Sequence, residues 1–186
     1  GKVDPISDIE VINLELILAD LESVDKRLAR VTKMVKQRDK EALAEEPVLT
    51  RLKEAFEAGK SGRSVEFTEE EQRVVKGFHL LTTKPMLYVA NVSEDDIMAD
   101  GENEYVQKVR AFAAEEGAEV ILICAKIEEE MAALEDEEKA MFLEELGIKE
   151  SGLDQLIKAS YSLIGLATYF TAGVQEVRAW TYLKGM

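Results

Sequence analysis

The first forty residues carry apolar side chains at the spacing of a packed helix. Steps of three and four residues alternate through seven positions: Leu14, Ile17, Leu21, Val24, Leu28, Val31 and Val35. This alternation is typical of the apolar seam of a coiled coil. Ser7 and Glu10 have the spacing of a capping box, which predicts that the helix begins at Ser7.

Two more helices are predicted in the same part of the chain. Pro47 suits the first turn of a second helix. The apolar face of that helix would be Leu49, Leu52 and Phe56. After a Gly- and Ser-rich break at 58–64, Thr68 and Glu71 form another capping-box pair. The third helix would carry Val74, Val75, Phe78 and Leu81. We therefore expect residues 1–82 to be all-helical, built round a long antiparallel hairpin.

Beyond Pro85 the pattern changes to alternating strands and helices. The short apolar runs MLYVAN (86–91) and EVILICA (119–125) predict two buried strands. Between them, 102–116 predicts an amphipathic helix closed by Gly117. Its inward residues would be Tyr105, Val109 and Phe112. Strand, helix, strand implies parallel pairing in an open sheet with helices on its faces.

Two further helical segments complete this α/β region, which we place at 83–166. An acidic helical stretch reaches Leu146, and Ser151 with Asp154 opens a last helix. That helix carries Leu156, Ile157, Tyr161 and Ile164. The remaining residues, 167–186, predict two strands around Ala172-Gly173. Because an isolated hairpin is marginal in water, we expect the chain to stop partway into another, β-rich domain.

Composition and charge narrow the class of protein. No apolar run reaches the length that spans a bilayer, and the start lacks the order of a signal peptide. One cysteine, Cys124, excludes an internal disulfide and favours a cytoplasmic location, while one histidine argues against a His-based metal site. The net charge of −15 argues against non-specific nucleic-acid binding by the whole chain.

The charge is nevertheless unevenly distributed. Residues 26–40 contain one acid, Asp39, and seven basic residues: Lys26, Arg27, Arg30, Lys33, Lys36, Arg38 and Lys40. Residues 126–150 contain ten acidic and three basic residues. The basic stretch could be a solvated helix face or could meet RNA or ribosomal phosphate. A third interpretation of the helical region is that its coiled coil makes a protein–protein contact through the apolar seam.

Polar residues follow both predicted strands. Asn91-Val92-Ser93-Glu94 ends the first, and Cys124-Ala125-Lys126 ends the second. In an open parallel sheet, ligands bind at the carboxyl ends of the strands. Asn, Ser and Asp are also common turn formers, so the first loop could simply end a strand. The pair of loops resembles the base-recognition loops of P-loop GTPases, usually N-K-x-D and S-A-K.

Four longer segments resemble the YchF family (also called EngD) of Obg-related P-loop NTPases. They are VDPISDIEVINLELILADLE, KPMLYVANVSEDD, AEVILICAKIEEE and LATYFTAGVQEVRAWTYLKGM. The resemblance spans essentially the whole chain. It implies the C-terminal half of a P-loop NTPase parallel sheet, a coiled-coil helical insertion at 1–82, and the start of a TGS domain at 167–186.

The resemblance also implies roles for the loop residues. Asn91 would hydrogen-bond the purine edge and brace the neighbouring loop, and Val92 stands where GTPases have a lysine. Glu94 replaces the aspartate that grips guanine. Cys124 stands where many GTPases have serine. Ala125 would offer its N–H to the base, and the stem of Lys126 would cover the ring.

The side chain at position 94 bears on the choice of purine. Adenine has an acceptor at N1 and no amino group at C2, so a carboxylate placed for guanine would face a lone pair. The longer Glu94 also moves that carboxylate by roughly one methylene relative to aspartate. Losing a bidentate contact removes much of the discrimination for guanine. We therefore expect the loop to favour ATP or to tolerate both ATP and GTP.

The chain lacks the phosphate-binding motif G-x-x-x-x-G-K-[ST]. Gly59-Lys60-Ser61 only echoes it, because Glu54 stands where the first glycine is needed. We predict no catalytic residue and no Mg²⁺ ligand here, and no hydrolysis by this piece alone. The resemblance implies that the intact parent is a ribosome-associated ATPase that uses Mg²⁺ and does not bind membranes; the oligomeric state stays open.

Overall fold

A computed structural model describes residues 3–172 and 177–184. The chain divides into two compact units, Gly1–Pro85 and Met86–Met186. The first unit contains helices α1 (Pro5–Val35), α2 (Lys40–Glu57) and α3 (Glu69–Lys76), with a 3-10 turn at Gly62–Ser64. No helix in the described part of the chain is both long enough and apolar enough to cross a bilayer.

Helix α1 begins two residues earlier than predicted. The Asp4 carboxylate accepts a hydrogen bond from the Ser7 N–H at 3.3 Å, and Pro5 occupies the first turn. Proline fixes φ at a helical value and lacks only an N–H that would be unpaired at this position. The predicted Ser7–Glu10 capping box is therefore wrong, because the chain is already helical at Ser7.

The apolar seam of α1 packs as predicted over most of its length. Ile17, Val24 and Val31 are buried, and Leu21, Leu28 and Val35 pack half-buried against the same core. Leu14 is an exception, since it is 51% exposed. Helix α2 has 18 residues and α1 has 31, so α2 is too short to face the first turns of α1.

Helix α2 also begins earlier than predicted. Asp39 caps it by accepting from the Ala42 N–H at 2.9 Å, so Pro47 lies inside the helix rather than in its first turn. Proline cannot donate to the carbonyl four residues back, which costs the helix one bond. Burial of Val48, Leu49 and Leu52 at 1% exposure or less offsets that loss.

The Thr68–Glu71 capping box is present at the start of α3, with both reciprocal bonds formed. Helix α3 ends at Lys76, so Phe78 and Leu81 lie beyond it rather than on it. Phe78 instead packs against the core of α1 and α2, and its ring lies 4.6 Å from the guanidinium carbon of Arg27.

The second unit begins with a parallel strand pair. Strands β1 (Leu87–Asn91) and β2 (Glu119–Ile123) pair in register from Leu87↔Glu119 to Asn91↔Ile123. Between them lie α4 (Glu94–Met98) and α5 (Glu104–Glu115). The parallel pairing is as predicted. The strands are less buried than predicted, and Val89 is 48% exposed, because β1 pairs only with β2 among the described residues.

Helix α5 presents a different face to the core than predicted. Val106, Val109 and Ala113 are buried, whereas Tyr105 is 42% exposed. The buried positions keep the three- and four-residue spacing that places side chains on one helix face. Val109 was placed correctly, and the half-buried Phe112 ring meets Tyr88 edge-on with centroids 6.2 Å apart.

The predicted acidic helical stretch forms two helices, α6 (Ala125–Ala132) and α7 (Asp136–Glu145). Ser151 then caps α8 (Gly152–Leu163) by accepting from the Asp154 N–H at 3.0 Å, as predicted. Strands β3 (Leu166–Ala172) and β4 (Val177–Leu183) form an antiparallel pair, also as predicted. The predicted turn at Ala172-Gly173 runs into residues 173–176, which lie outside the described residues.

Candidate functional site

The carboxyl ends of β1 and β2 bring the two polar loops together. The Cα partners Asn91 and Ile123 end the ladder, and the Val92 N–H donates to the Ile123 carbonyl at 2.8 Å. Each loop leads directly into a helix, α4 after the first and α6 after the second. All six residues that the sequence assigns to base recognition line one open cavity.

Asn91 joins the two loops. Its Oδ1 accepts from the Ala125 N–H at 3.0 Å across 34 residues of sequence. Because that N–H can only donate, the side-chain oxygen must face it and the Asn91 amino group points the other way. The Ala125 N–H, predicted to contact a base, is thus already used inside the protein, and a base contact would have to share it or exchange it.

Glu94 and Lys126 form a second link between the loops. Lys126 Nζ lies 2.8 Å from Glu94 Oε1 and 3.9 Å from Glu130 Oε1. The hydrogen bond to Glu94, then its charge and that of Glu130, raises the pKa of Lys126 above its ordinary value. The lysine side chain is 67% exposed and that of Glu94 is 35% exposed, so the pair lies on the open side of the cavity.

The first turn of α4 is held by a small hydrogen-bond network. Ser93 caps the helix by accepting from the Asp96 N–H at 3.2 Å, and its hydroxyl donates to Asp96 Oδ2 at 2.6 Å. Asn103 donates to the other carboxylate oxygen at 3.2 Å. These bonds, that of Ser93 first, lower the pKa of Asp96. The network fixes where Glu94 leaves the backbone.

The second loop is fixed from beneath. Cys124 is buried at the N-cap of α6 and makes no side-chain capping bond there. Glu128 Oε1 accepts from the N–H groups of Gly152 and Leu153 at 2.8 and 3.4 Å, which ties α6 to the start of α8. A Cβ on Gly152 would lie only 3.0 Å from the Leu122 carbonyl oxygen, so glycine permits this approach.

The cavity at the loops has a volume of about 490 Å³, within the range of about 300 to 1,000 Å³ that ligand sites commonly have. Its lining consists of Asn91, Val92, Ser93, Glu94, Asp95, Cys124, Ala125 and Lys126. The arrangement offers amide, carboxylate and ammonium groups around one open cavity. Such a set suits a planar polar ligand that is recognised along its edge.

Three residues that shape the site were not among the site residues predicted from the sequence. Ser93 and Asp95 line the cavity, and Glu128, which the sequence places only in an acidic helical stretch, caps α8. Ser93 had a local signal, since a serine before Glu94-Asp95-Asp96 has the form of a helix cap. Glu128 had none, because its partners lie 24 and 25 residues away.

The basic residues of α1 divide into two groups. Lys26 pairs with Glu22 at 2.5 Å, and Arg27 makes a bidentate pair with Glu45 at 2.6 and 2.8 Å. The hydrogen bond from Glu45 raises the pKa of Arg27 above its ordinary value. Within the described residues, the cations from the last turns of α1 to the first residue of α2 take part in no ion pair: Arg30, Lys33, Lys36, Arg38 and Lys40.

No group of three or more acidic, histidine or cysteine side chains in the described ranges, 3–172 and 177–184, could hold a metal ion.

Comparison with known proteins connects this geometry to a family. The chain is 70% identical over 186 residues to the Ribosome-binding ATPase YchF of Bacillus subtilis, covering all of this chain and 51% of that protein. It is 48% identical over 185 residues to the Ribosome-binding ATPase YchF of Haemophilus influenzae, covering half of that protein. No protein-family model matches the chain.

A solved structure agrees with the sequence comparison. The structure of the Schizosaccharomyces pombe YchF GTPase superposes with a TM-score of 0.89 at 30% identity, covering all of this chain and 51% of that one. The chain thus spans about half the length of the curated relatives that it matches. On these similarities, the chain belongs to the YchF family.

Proposed function

We propose that this chain supplies the base-recognition loops of a purine-nucleotide hydrolase that favours ATP or accepts both ATP and GTP. The observation that carries the proposal is the hydrogen bond from the Ala125 N–H to Asn91, which joins the ends of two parallel strands over one cavity. The names of its relatives, ATPase in bacteria and GTPase in Schizosaccharomyces pombe, support the same class.

In this proposal the loop residues surround the base, and the Ala125 N–H, which the sequence assigned to the base, stays bonded to Asn91. The Asn91 amino group donates to the purine edge while its oxygen braces the second loop. Val92 and the stem of Lys126 cover the ring, Cys124 leaves room beneath it, and Glu94 sets the purine preference. Asn91 is central to this arrangement, because its amino group then bonds the base and its oxygen bonds the Ala125 N–H.

The phosphate chemistry lies elsewhere in the whole protein. The chain contains no G-x-x-x-x-G-K-[ST] run, and its described residues include no group of three or more acidic, histidine or cysteine side chains that could hold a metal ion. We assign Mg²⁺ and the catalytic groups to residues outside this chain, and we expect the chain alone to hydrolyse neither nucleotide. In a P-loop NTPase the catalytic power comes from positioning and electrostatics at the phosphates.

We further propose that the parent is a cytoplasmic, Obg-related protein that binds the ribosome. The name that the bacterial relatives carry supports the ribosome as a partner. The proposed domains are a coiled-coil insertion at 1–82, the second half of the nucleotide domain at 83–166, and the start of a TGS domain at 167–186. The first boundary lies three residues before the end of the first compact unit.

A second candidate function belongs to the helical arm. The exposed cations Arg30 and Lys33 lie on α1, and Lys36 is its C-cap; none of the three has an ion-pair partner among the described residues. Unpaired cations at one end of a helical hairpin suit contact with RNA phosphate, because no internal pair has to be broken. This role is compatible with nucleotide hydrolysis by the other unit.

The test of the main proposal is competition for a fluorescent ATP analogue bound to the full-length protein. ATP should displace the analogue at least as well as GTP. Glu94→Asp should shift the preference towards GTP, because the shorter carboxylate restores the guanine-binding geometry. Glu102→Asp makes the same change outside the cavity and should leave the preference unaltered. The proposal fails if neither nucleotide displaces the analogue.

A further inference from the structure

The ion pair between Glu94 and Lys126 differs from most lysine pairs in the described part of the chain. Lys26 with Glu22, and Lys108 with Glu104, are pairs between residues four apart on one helix. Lys126 reaches instead from α6 to the first residue of α4, across 32 positions of sequence, at 2.8 Å. Both residues line the cavity at the ends of the strands.

We propose that Lys126 is a specificity-determining positioning residue, whose ammonium holds the Glu94 carboxylate and thereby weakens guanine binding relative to adenine binding. This inference rests on the proposed function and deepens it. The sequence alone attributes the preference between adenine and guanine to the length of the Glu94 side chain. The structure adds the Lys126 ammonium as a second determinant.

The reason lies in the hydrogen-bond donors of the two bases. Guanine presents N1–H and an exocyclic amino group, two donors that need two free acceptor positions on one carboxylate. The Lys126 ammonium already donates to Glu94 Oε1. Guanine must therefore share this oxygen with an internal cationic donor, which weakens the bidentate contact.

Adenine is not subject to that competition. It has an acceptor at N1 and no amino group at C2, so it asks nothing of the carboxylate. A free Glu94 would instead point a negative charge at the N1 lone pair. The Lys126 ammonium partly neutralises that charge, so the pair weakens guanine binding and favours adenine at the same time.

The exposure of the pair limits the size of the effect. The Lys126 side chain is 67% exposed, so its ammonium can be rehydrated when guanine displaces it. Ion pairs of this kind contribute little, and we expect a change of about two- to fivefold in the affinity ratio. The pair therefore tunes the preference between two purines and does not by itself exclude one.

Lys126→Met in the full-length protein is the decisive variant. Methionine keeps an unbranched apolar stem for the ring and removes only the ammonium. The ratio of GTP to ATP affinity, from displacement of a fluorescent ATP analogue, should rise by about two- to fivefold. Lys126→Arg keeps a cation and should keep the wild-type ratio.

Glu130→Gln is the matched control. It removes the more distant carboxylate, 3.9 Å from the Lys126 ammonium, and leaves the pair with Glu94 in place. Its affinity ratio should equal that of the wild type. In the Glu94→Asp background the carboxylate is drawn back from the ammonium, so Lys126→Met should no longer change the ratio.

The outcomes separate the two proposals. If ATP and GTP bind and Lys126→Met leaves their affinity ratio unchanged, Lys126 does not set specificity and only this inference is overturned. If neither nucleotide binds to the wild-type protein, the proposed function fails and this inference fails with it. Equal losses of ATP and GTP affinity in Lys126→Met would also overturn it, since they indicate a role in covering the ring alone.

Discussion

Asp20 and Thr82, 62 residues apart in sequence, are joined in the interior of the helical unit by two hydrogen bonds. The backbone N–H and the hydroxyl of Thr82 both donate to Asp20 Oδ2 at 2.7 Å. The Leu81 N–H donates to the other carboxylate oxygen at 2.8 Å. Asp20 and Thr82 are each only 2% exposed. This carboxylate fixes the segment after α3 against α1.

Asp20→Asn should destabilise the chain strongly. The asparagine amino group must replace one of two acceptor oxygens, so at least one N–H of residues 81 and 82 would face another donor. A buried donor without an acceptor costs free energy, and we expect the free energy of unfolding to fall by about 2 to 4 kcal/mol. Urea unfolding followed by circular dichroism measures this.

Asp25→Asn provides the comparison for Asp20. It makes the same substitution on the same helix, at an exposed carboxylate that pairs with Lys53 at 2.7 Å. Because both groups are accessible to water, the loss should be much smaller. Equal effects of the two substitutions would mean that the buried hydrogen bonds of Asp20 do not stabilise the unit.

Glu128→Ala should destabilise the second unit. The carboxylate accepts from the first two N–H groups of α8, Gly152 and Leu153, which have no acceptor within the helix. Losing such a cap should lower the free energy of unfolding by about 1 to 2 kcal/mol. Glu129→Ala, the adjacent exposed acid, should change it by about 0.5 kcal/mol or less. Denaturant unfolding of both variants distinguishes a cap from a solvated charge.

Glu71→Gln should alter the pH dependence of stability. The bond to Arg51, then that to the Thr68 N–H, lowers the pKa of Glu71 from its ordinary value of 4.5. A lowered carboxyl pKa means that the folded state prefers the ionised form. Its contribution is therefore fully present above pH 4.5 and is lost as the pH falls through the lower folded pKa.

Denaturation midpoints at a series of pH values test this dependence. The wild type should be more stable than Glu71→Gln near neutral pH, and the difference should shrink as the solution becomes acidic. Glu70→Gln removes a neighbouring acid in the same first turn that makes neither bond. A stability difference for Glu71→Gln that persists unchanged in acid would contradict the prediction.

Replacing the free cations of the helical arm should weaken RNA binding in a salt-dependent way. For Arg30, Lys33 and Lys36 all changed to Gln, the slope of log affinity against log salt should become less steep by roughly two to three. Filter binding of ribosomal RNA across a salt series measures the slope. Changing Lys60, Arg73 and Lys76, which lie outside α1, should leave it unaltered. Equal slopes for the wild type and the Arg30, Lys33 and Lys36 triple variant would rule out phosphate contacts by this surface.

The local sequence patterns predict which helices and strands form better than they predict where each one begins and ends. The alternation of three- and four-residue steps correctly places Ile17, Val24 and Val31 in a core. It cannot show how far a partner helix extends, and Leu14 is exposed for that reason. Pro47 was taken for a helix start because its local cost is high, but burial of its neighbours outweighs that cost.

For the candidate site too, local patterns predict where residues lie along the chain but not which residues they contact. Asn91 and Lys126 follow apolar strand runs, and this local signal is enough to place them at strand ends. Their partners are set by the parallel register, which brings residues more than 30 positions apart within hydrogen-bond distance. Spacing along one strand or helix does not encode such a contact.

By itself, the sequence determined the helical hairpin, the parallel strand pair and the two polar loops, because apolar periodicity and turn residues act over a few positions. Only the tertiary structure decided that Asp20 is buried under Thr82, that Glu128 caps α8 and that Lys126 pairs with Glu94. In each of these contacts a carboxylate lowers its free energy by meeting donors from a distant segment. Which donors are within reach depends on how the chain packs as a whole.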